Sequence, residues 1–178
     1  PLALGKNVWL CCATESMIFA DFIKEMFGSQ NNLNKCMLIK VKEEQAEVLR
    51  ALEVQTYLET FGPYIKAEDM QDYFAHELSL ERIQKDLALV ESETYFALDE
   101  TEKIVGFLKF NWGQEQTEPV EADYSMRNAF EVHRIYVLKP YQGQGFGKEM
   151  FEFALQEAMK RKCSWVWLGV WEKNFKAQ

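Results

Sequence analysis

Hydrophobic and polar positions recur with different periods along the chain, and each change of period marks an element. Met37-Leu38-Ile39-Lys40-Val41-Lys42 reads as a strand. Between residues 44 and 61, Val48, Leu49, Leu52, Tyr57 and Phe61 fall near one face of a helical period, and Gly62-Pro63 stops the helix. A second helical region runs from Ala67 to about Val90 in two pieces. Ser79 is the N-cap of the second piece, and Leu80, Ile83, Leu87 and Leu89-Val90 form its apolar face. A hairpin follows, with one strand over Thr94–Leu98, a turn at Asp99–Glu102 and the return strand over Ile104–Phe110. Phe130–Leu138 predicts a long strand, and Trp165–Trp171 predicts another. Between them Phe146–Lys162 predicts a helix with Met150, Phe151, Ala154, Leu155, Ala158 and Met159 turned inward. The order β, α, α, β, β, β, α, β predicts an α/β (α+β) chain, a mixed sheet with helices packed on it.

Residues 1–36 stand apart. They carry three basic and three acidic residues, leaving 17 basic and 25 acidic residues for the rest of the chain. An apolar patch, Met17-Ile18-Phe19-Ala20-Asp21-Phe22-Ile23, predicts a short helix ending at Gly28, and a polar linker runs from Ser29 to Lys35. No function follows from this segment, which is read as an N-terminal extension ahead of a domain over 37–178.

A length of 178 residues suits one domain. A composition 48% hydrophobic and 27% charged is that of a soluble globular protein, and 14% aromatic residues predict a core of large side chains. A net charge of −8 argues against a nucleic-acid partner, whose recognition rests on Lys and Arg, and is compatible with a cationic substrate. Cys11, Cys12, Cys36 and Cys163 form no Cys-x-x-Cys pair and gain no metal-binding context from His76 or His133. Free thiols in a reducing, cytoplasmic compartment are expected, with no metal and no membrane span.

The chemistry concentrates in Val137-Leu138-Lys139-Pro140-Tyr141-Gln142-Gly143-Gln144-Gly145-Phe146-Gly147-Lys148. A β-branched run meets a proline, three glycines follow at alternate positions, and a helix begins. Free backbone N–H groups at a helix N-terminus suit a pyrophosphate. The glycine spacing excludes the familiar nucleotide loops. A P-loop requires five residues from its first glycine to Gly147 and a Ser or Thr after Lys148, but Gly143 stands one residue too close and Glu149 follows. A dinucleotide fingerprint or a kinase loop needs G-x-G-x-x-G, and Gly147 comes one residue early.

What does fit is Gln-x-x-Gly-x-Gly, with Gln142, Gly145 and Gly147, preceded by Val137-x-x-Pro140. This resembles the acetyl-CoA loop of the GNAT N-acetyltransferases. Trp167-Leu168-Gly169-Val170-Trp171-Glu172-Lys173-Asn174, the Tyr57 to Phe61 helix end and the Glu131 to Val137 strand are similar to the PaiA-type spermidine/spermine N-acetyltransferases, over residues 37–178. The resemblance implies a mostly antiparallel sheet and acetyl transfer from acetyl-CoA to a primary amine, with a polyamine or other small amine as acceptor. A protein N-terminus is the other acceptor class. It also implies that Gln142, Gly143, Gln144, Gly145, Phe146, Gly147 and Lys148 hold the pyrophosphate. Ile135, Tyr136 and Val137 would pair with the pantetheine and polarise the thioester, and Asn174 would contact coenzyme A.

An amine with a pKa near 10 must lose a proton before it attacks. Glu131 is the candidate base, placed by simple alternation on one side of its strand with His133, Ile135 and Val137; His133 is a candidate to share the role. The polar stretch 113–128, with Glu115, Glu118, Glu121 and Asp123, offers an acidic surface to a polyamine. The chain ends at Gln178, shortly after Asn174, before the tyrosine that the resemblance implies as general acid and before two further strands. The domain is therefore expected to be incomplete at its C-terminus. The open sheet edge would be covered by residues 1–36 or by a second chain as a homodimer. An acetyl-CoA-binding module without catalysis is the alternative reading.

Overall fold

The computed structural model describes residues 7–11, 35–117 and 128–169. Its strands are β1 (Asn7–Cys11), β2 (Met37–Lys40), β3 (Ser92–Leu98), β4 (Ile104–Trp112), β5 (Ala129–Val137) and β6 (Trp165–Gly169). Its helices are α1 (Ala46–Phe61), α2 (Ala67–His76), α3 (Leu80–Leu87) and α4 (Phe146–Lys160). The strands form one sheet in the spatial order β1-β6-β5-β4-β3-β2. Every neighbouring pair is antiparallel except β5 and β6, which α4 connects as a parallel β-α-β unit. The mixed, mostly antiparallel sheet flanked by helices is the expected fold class.

Each face of the sheet buries its own cluster. On one, Phe146, Met150, Ala154, Leu155 and Ala158 of α4 meet Leu108, Phe110, Phe130, Val132 and Val166. On the other, Leu49 and Leu52 of α1 and Ile83 of α3 meet Phe96, Leu98 and Phe107. The four fully buried phenylalanines, Phe96, Phe107, Phe110 and Phe130, each contribute about 1.5–3 kcal/mol relative to exposure. Ser79 caps α3 as its sequence predicts, its Oγ accepting from the Arg82 N–H at 3.2 Å.

Three side chains expected inward are exposed: Val48 (49%), Met159 (49%) and Val90 (85%). The buried stripe of α1 runs through Leu49, Leu52, Glu53, Thr56 and Tyr57, so Val48 lies off its edge. Met159 flanks the Met150–Ala154–Ala158 row of α4, and Val90 lies in the turn after α3. The hairpin strands are longer than the apolar run suggests, reaching Ser92 and Trp112.

The first strand was not legible in the sequence. Asn7–Cys11 pairs with β6 in antiparallel register, Asn7 opposite Gly169 and Cys11 opposite Trp165, and so takes the sheet edge beside β6. The helix expected near residues 17–28, most of the acidic stretch 113–128, Val170-Trp171 and Asn174 lie outside the described residues.

Candidate functional site

The glycine loop joins the end of β5 to the start of α4. Its first turn is a single 3₁₀ turn over Lys139–Tyr141 with Pro140 inside it, a position where the missing N–H costs nothing. Gly143 has φ +76° and Gly145 φ +97°, left-handed conformations that favour glycine. Gly145 is the N-cap of α4, and the first helical hydrogen bond recorded there runs from the Glu149 N–H to the Gly145 carbonyl at 3.1 Å. Both glutamines brace the loop from within: Gln142 Nε2 donates to the Val137 carbonyl at 3.0 Å and Gln144 Nε2 to the Pro140 carbonyl at 2.9 Å. Among the described residues, the backbone N–H groups of Gly143, Gln144, Gly145, Phe146 and Gly147 have no acceptor. Alternating left-handed residues with free N–H groups at a helix N-terminus form a concave anion cradle.

Gly147 is a different kind of glycine from Gly143 and Gly145. It is helical, and a Cβ there would meet only Val137 Cγ2, at an ordinary 3.8 Å. Nothing in the fold around Gly147 demands a glycine at this position.

Above the loop the two parallel strands part. β5 and β6 pair through three positions, Ala129 with Trp165, Phe130 with Val166 and Glu131 with Trp167. β5 then continues to Val137 and β6 to Gly169 with no further pairing between them. The far side of β5 stays paired with β4 up to Val137 opposite Gly106, and the far side of β6 is paired with β1. Ile135, Tyr136 and Val137 therefore present the open edge of β5 to a wedge that ends at the glycine loop. Tyr136 offers only its backbone there, because its ring packs at 5.6 Å on Phe107 in the α1/α3 cluster and burial pushes its hydroxyl up to about 12.

The expected alternation of Glu131, His133, Ile135 and Val137 on one side of β5 does not hold. Lys109 pairs with Arg134 and Phe110 with Val132, so one extra residue, His133, bulges out of β5. Phe130 and Val132 face α4, and after the bulge Ile135 and Val137 continue on that face. Tyr136 and Leu138 pack on the α1/α3 side. Glu131 belongs to that second side, beside Asn111 and Lys109.

Glu131 sits where the wedge closes and is 2% exposed. It lies in a polar row across three strands, since Ser92, Asn111 and Glu131 are register partners on β3, β4 and β5. Ser92 Oγ donates to Asn111 Oδ1 at 2.7 Å, which turns the amide so that Asn111 Nδ2 donates to Glu131 Oε2 at 2.9 Å. The loop after β4 folds back over the row. The Thr117 N–H donates to Glu131 Oε2 at 3.0 Å, the Thr117 hydroxyl donates to Glu131 Oε1, and Trp167 Nε1 donates to Gln116 Oε1 at 2.7 Å. Burial raises the Glu131 carboxyl above the usual range; the Thr117 and Asn111 hydrogen bonds and the Lys109 charge oppose the shift without cancelling it.

Beyond the row the same face is charged but paired. Lys109 Nζ meets Asp86 Oδ2 of α3 at 2.6 Å, and Arg134 pairs with Glu53 of α1. Glu53 is 4% exposed. Burial works against the Arg134 charge, and Glu53 restores it, so the guanidinium stays cationic. One turn after Glu53, the Tyr57 ring stacks on Tyr73 of α2 at 4.5 Å and meets the edge of Phe74 at 5.6 Å. His133 is half-buried, with its Nδ1 enclosed and without a hydrogen-bond partner among the described residues. Burial, followed by the positive charges of Arg134, Lys109 and Arg82, holds its imidazole well below the usual histidine range, so it is neutral at pH 7.

The structure thus brings Ile135–Val137 and Gln142–Lys148 together along one wedge, with Glu131 at its closed end. Thr117, Asn111 and the Arg134–Glu53 pair were not singled out by sequence reasoning. Asn111, in the middle of the apolar run Phe110-Asn111-Trp112, was the one signal available, since asparagine is depleted in strands.

A parallel strand pair that opens above an anion cradle matches the acyltransferase architecture that the loop's resemblance implies. The chain belongs to the acetyltransferase (GNAT) family, whose family model matches residues 50–178. It is 31% identical over 141 residues to an uncharacterised N-acetyltransferase of Lactobacillus delbrueckii subsp. lactis, covering 79% of this chain and 78% of that protein. Among solved structures, the fold is shared with the PaiA N-acetyltransferase of Thermoplasma acidophilum in complex with coenzyme A. That match has a TM-score of 0.63 and 17% identity, and covers 80% of this chain and 83% of the other. An aminoglycoside acetyltransferase from an uncultured soil metagenomic sample, in complex with sisomicin, matches with a TM-score of 0.57 and 20% identity, over 81% and 83% of the two chains.

Proposed function

We infer that the protein transfers the acetyl group of acetyl-CoA to a primary amine, and that the acceptor is a polyamine or similar small amine. Acetyl-CoA as cosubstrate follows from the family. The observation that carries the reading is the wedge between β5 and β6 ending at five unpaired backbone N–H groups. In this reading the N–H groups from Gly143 to Gly147 hold the pyrophosphate, flanked by Lys148 and by Gln142, whose own N–H, against the expectation, is turned back to the Lys139 carbonyl. The pantetheine lies along the open edge of Ile135, Tyr136 and Val137, and a backbone N–H there polarises the thioester carbonyl, a stabilisation worth about 3 kcal/mol where such donors have been removed elsewhere. Asn174 is kept as a coenzyme A contact on the family motif alone.

Glu131 is the proposed base. Its position at the closed end of the wedge supports the role, and a carboxyl raised above the usual range is better matched to accepting a proton near neutral pH. The net charge of −8 and the acidic residues of 113–128 support a polycationic acceptor. The buried free thiols Cys36 and Cys163 suit a reducing, cytoplasmic compartment. Tight burial of Glu131 favours one competing reading, a coenzyme A-binding module without catalysis.

An acetyl-CoA turnover assay with thiol release as readout separates the two. The acceptor panel holds spermidine, spermine, simple diamines, an aminoglycoside and a peptide N-terminus. Release with the polyamines is the expected result. Tight acetyl-CoA binding with no release for any amine would establish the module, and release with the peptide alone would replace the acceptor class.

A further inference from the structure

Resting on Glu131 as base, the geometry raises a question of access. Glu131 is 2% exposed, and three donors already occupy its carboxylate: Asn111 Nδ2 and the Thr117 N–H on Oε2, and the Thr117 hydroxyl on Oε1. At 2% exposure, neither oxygen is open to an acceptor amine arriving from solvent. Thr117 is different: it is exposed, yet its hydroxyl touches Glu131 Oε1. A hydroxyl has one proton to give and two lone pairs to accept with. With its proton committed to Glu131, its lone pairs remain able to accept.

We propose that the Thr117 hydroxyl is a catalytic proton relay, taking a proton from the acceptor ammonium while passing its own to Glu131. An N–H bond of the ammonium breaks, a new O–H bond forms on Thr117, the original Thr117 O–H breaks, and Glu131 Oε1 gains the proton. Thr117 stays neutral throughout, Glu131 changes from carboxylate to acid, and the amine is left neutral with its lone pair free for the thioester carbon. The Ser92–Asn111 pair fixes the other carboxylate oxygen, so Oε1 is the one that titrates. The charged groups facing this carboxylate are balanced. Lys109 of β4 is held by Asp86 of α3, Arg134 of β5 by Glu53 of α1, and His133 is neutral. The relay therefore delivers its proton to Glu131 rather than to a neighbour.

The test uses the full chain, acetyl-CoA and the best acceptor from the panel, with Thr117→Val, Thr117→Ser and Glu131→Gln. Thr117→Val is expected to lose about 100-fold in kcat, the lower range for positioned proton transfer, with the KM for both substrates little changed. The acid limb of its pH–rate profile should vanish, as in Glu131→Gln, and Thr117→Ser should restore both rate and limb. The wild-type proton inventory in mixed H₂O and D₂O should be curved, since two protons move together; this measurement needs no variant to fold. Full activity in Thr117→Val alongside a slow Glu131→Gln would overturn the relay and leave the base standing. A Glu131→Gln enzyme with unchanged rate and profile would remove the base and the relay with it. A linear proton inventory, or a serine variant as slow as the valine, would also overturn the relay.

Discussion

Gly147→Ala separates what the fold needs from what the ligand needs, because the two make predictions of opposite sign. The residue lies in the first turn of α4, and a methyl group added there would have only Val137 Cγ2 nearby, at 3.8 Å. Replacing a helical glycine with alanine at a site with room stabilises by about 0.4–1 kcal/mol, through the entropy of the unfolded chain. For a chain of this size that corresponds to a rise of roughly 1–4 °C in Tm. The same methyl would stand over a cradle N–H. If that N–H donates to a pyrophosphate oxygen, the variant loses a hydrogen bond to a charged group, about 1.5–3 kcal/mol, or about 10–150-fold in Kd for acetyl-CoA. Calorimetric Tm without ligand and titration calorimetry with acetyl-CoA read the two effects separately. Gly145→Ala is the control: with φ +97° it is strained, and should cost about 1–2 kcal/mol of stability as well as affinity. A Gly147→Ala protein that is more stable and binds acetyl-CoA as tightly as the wild type would refute the placement of the pyrophosphate. One that is less stable would refute the claim that the fold leaves room there.

Two further predictions concern the charged face of β5. Arg134→Met leaves the Glu53 carboxylate buried without its partner, and should cost about 3–5 kcal/mol, whereas adding Glu53→Met should recover most of the loss. Chemical denaturation of the two single variants and the double measures the coupling, and a single-variant loss below about 1 kcal/mol would contradict the pairing. His133→Phe should change the pH dependence of stability. The native imidazole resists protonation while the unfolded one accepts a proton below its ordinary 6.5, so wild-type stability falls, relative to the variant, as pH drops below that value. The difference should grow by up to about 1.4 kcal/mol per pH unit, and parallel Tm curves between pH 7 and 5 would show that His133 is not held neutral.

The elements that were legible in the sequence are those whose signal is local. The period of Leu49, Leu52 and Tyr57, the Ser79 cap and the glycine spacing at 143–147 each carry their structural consequence within a few residues. Glu53 and Thr56 did not advertise their burial, because a charged or hydroxyl residue inside a helical stripe reads as a break in the stripe. Here Arg134 from a distant strand satisfies Glu53, and the Thr56 hydroxyl donates to the Leu52 carbonyl at 2.9 Å. β1 was illegible for a related reason. Asn7-Val8-Trp9-Leu10-Cys11 has no alternation, and only its pairing with β6 makes it a strand.

The bulge at His133 is the feature with the largest functional consequence and the weakest sequence signal. A strand of period two would place Glu131 and Ile135 on one face, and the proposed thioester contacts and the proposed base would then share a surface with α4. The extra residue changes the parity. Upstream of it, Glu131 faces α1 and α3 along with Asn111 and Lys109; downstream, Ile135 and Val137 face α4 and lead to the glycine loop. The strand can therefore do two incompatible things. Its second half packs against the helix whose N-terminus forms the anion cradle, while its first half keeps a carboxyl on the face lined by Glu53, Tyr57 and Tyr73, where an acceptor would approach. Deleting His133 would remove the extra residue from the register, and would turn either Glu131 or Ile135 to the opposite face of the sheet. The residue count at His133, rather than its half-buried imidazole, is what sets this parity, since its Nδ1 makes no hydrogen bond among the described residues.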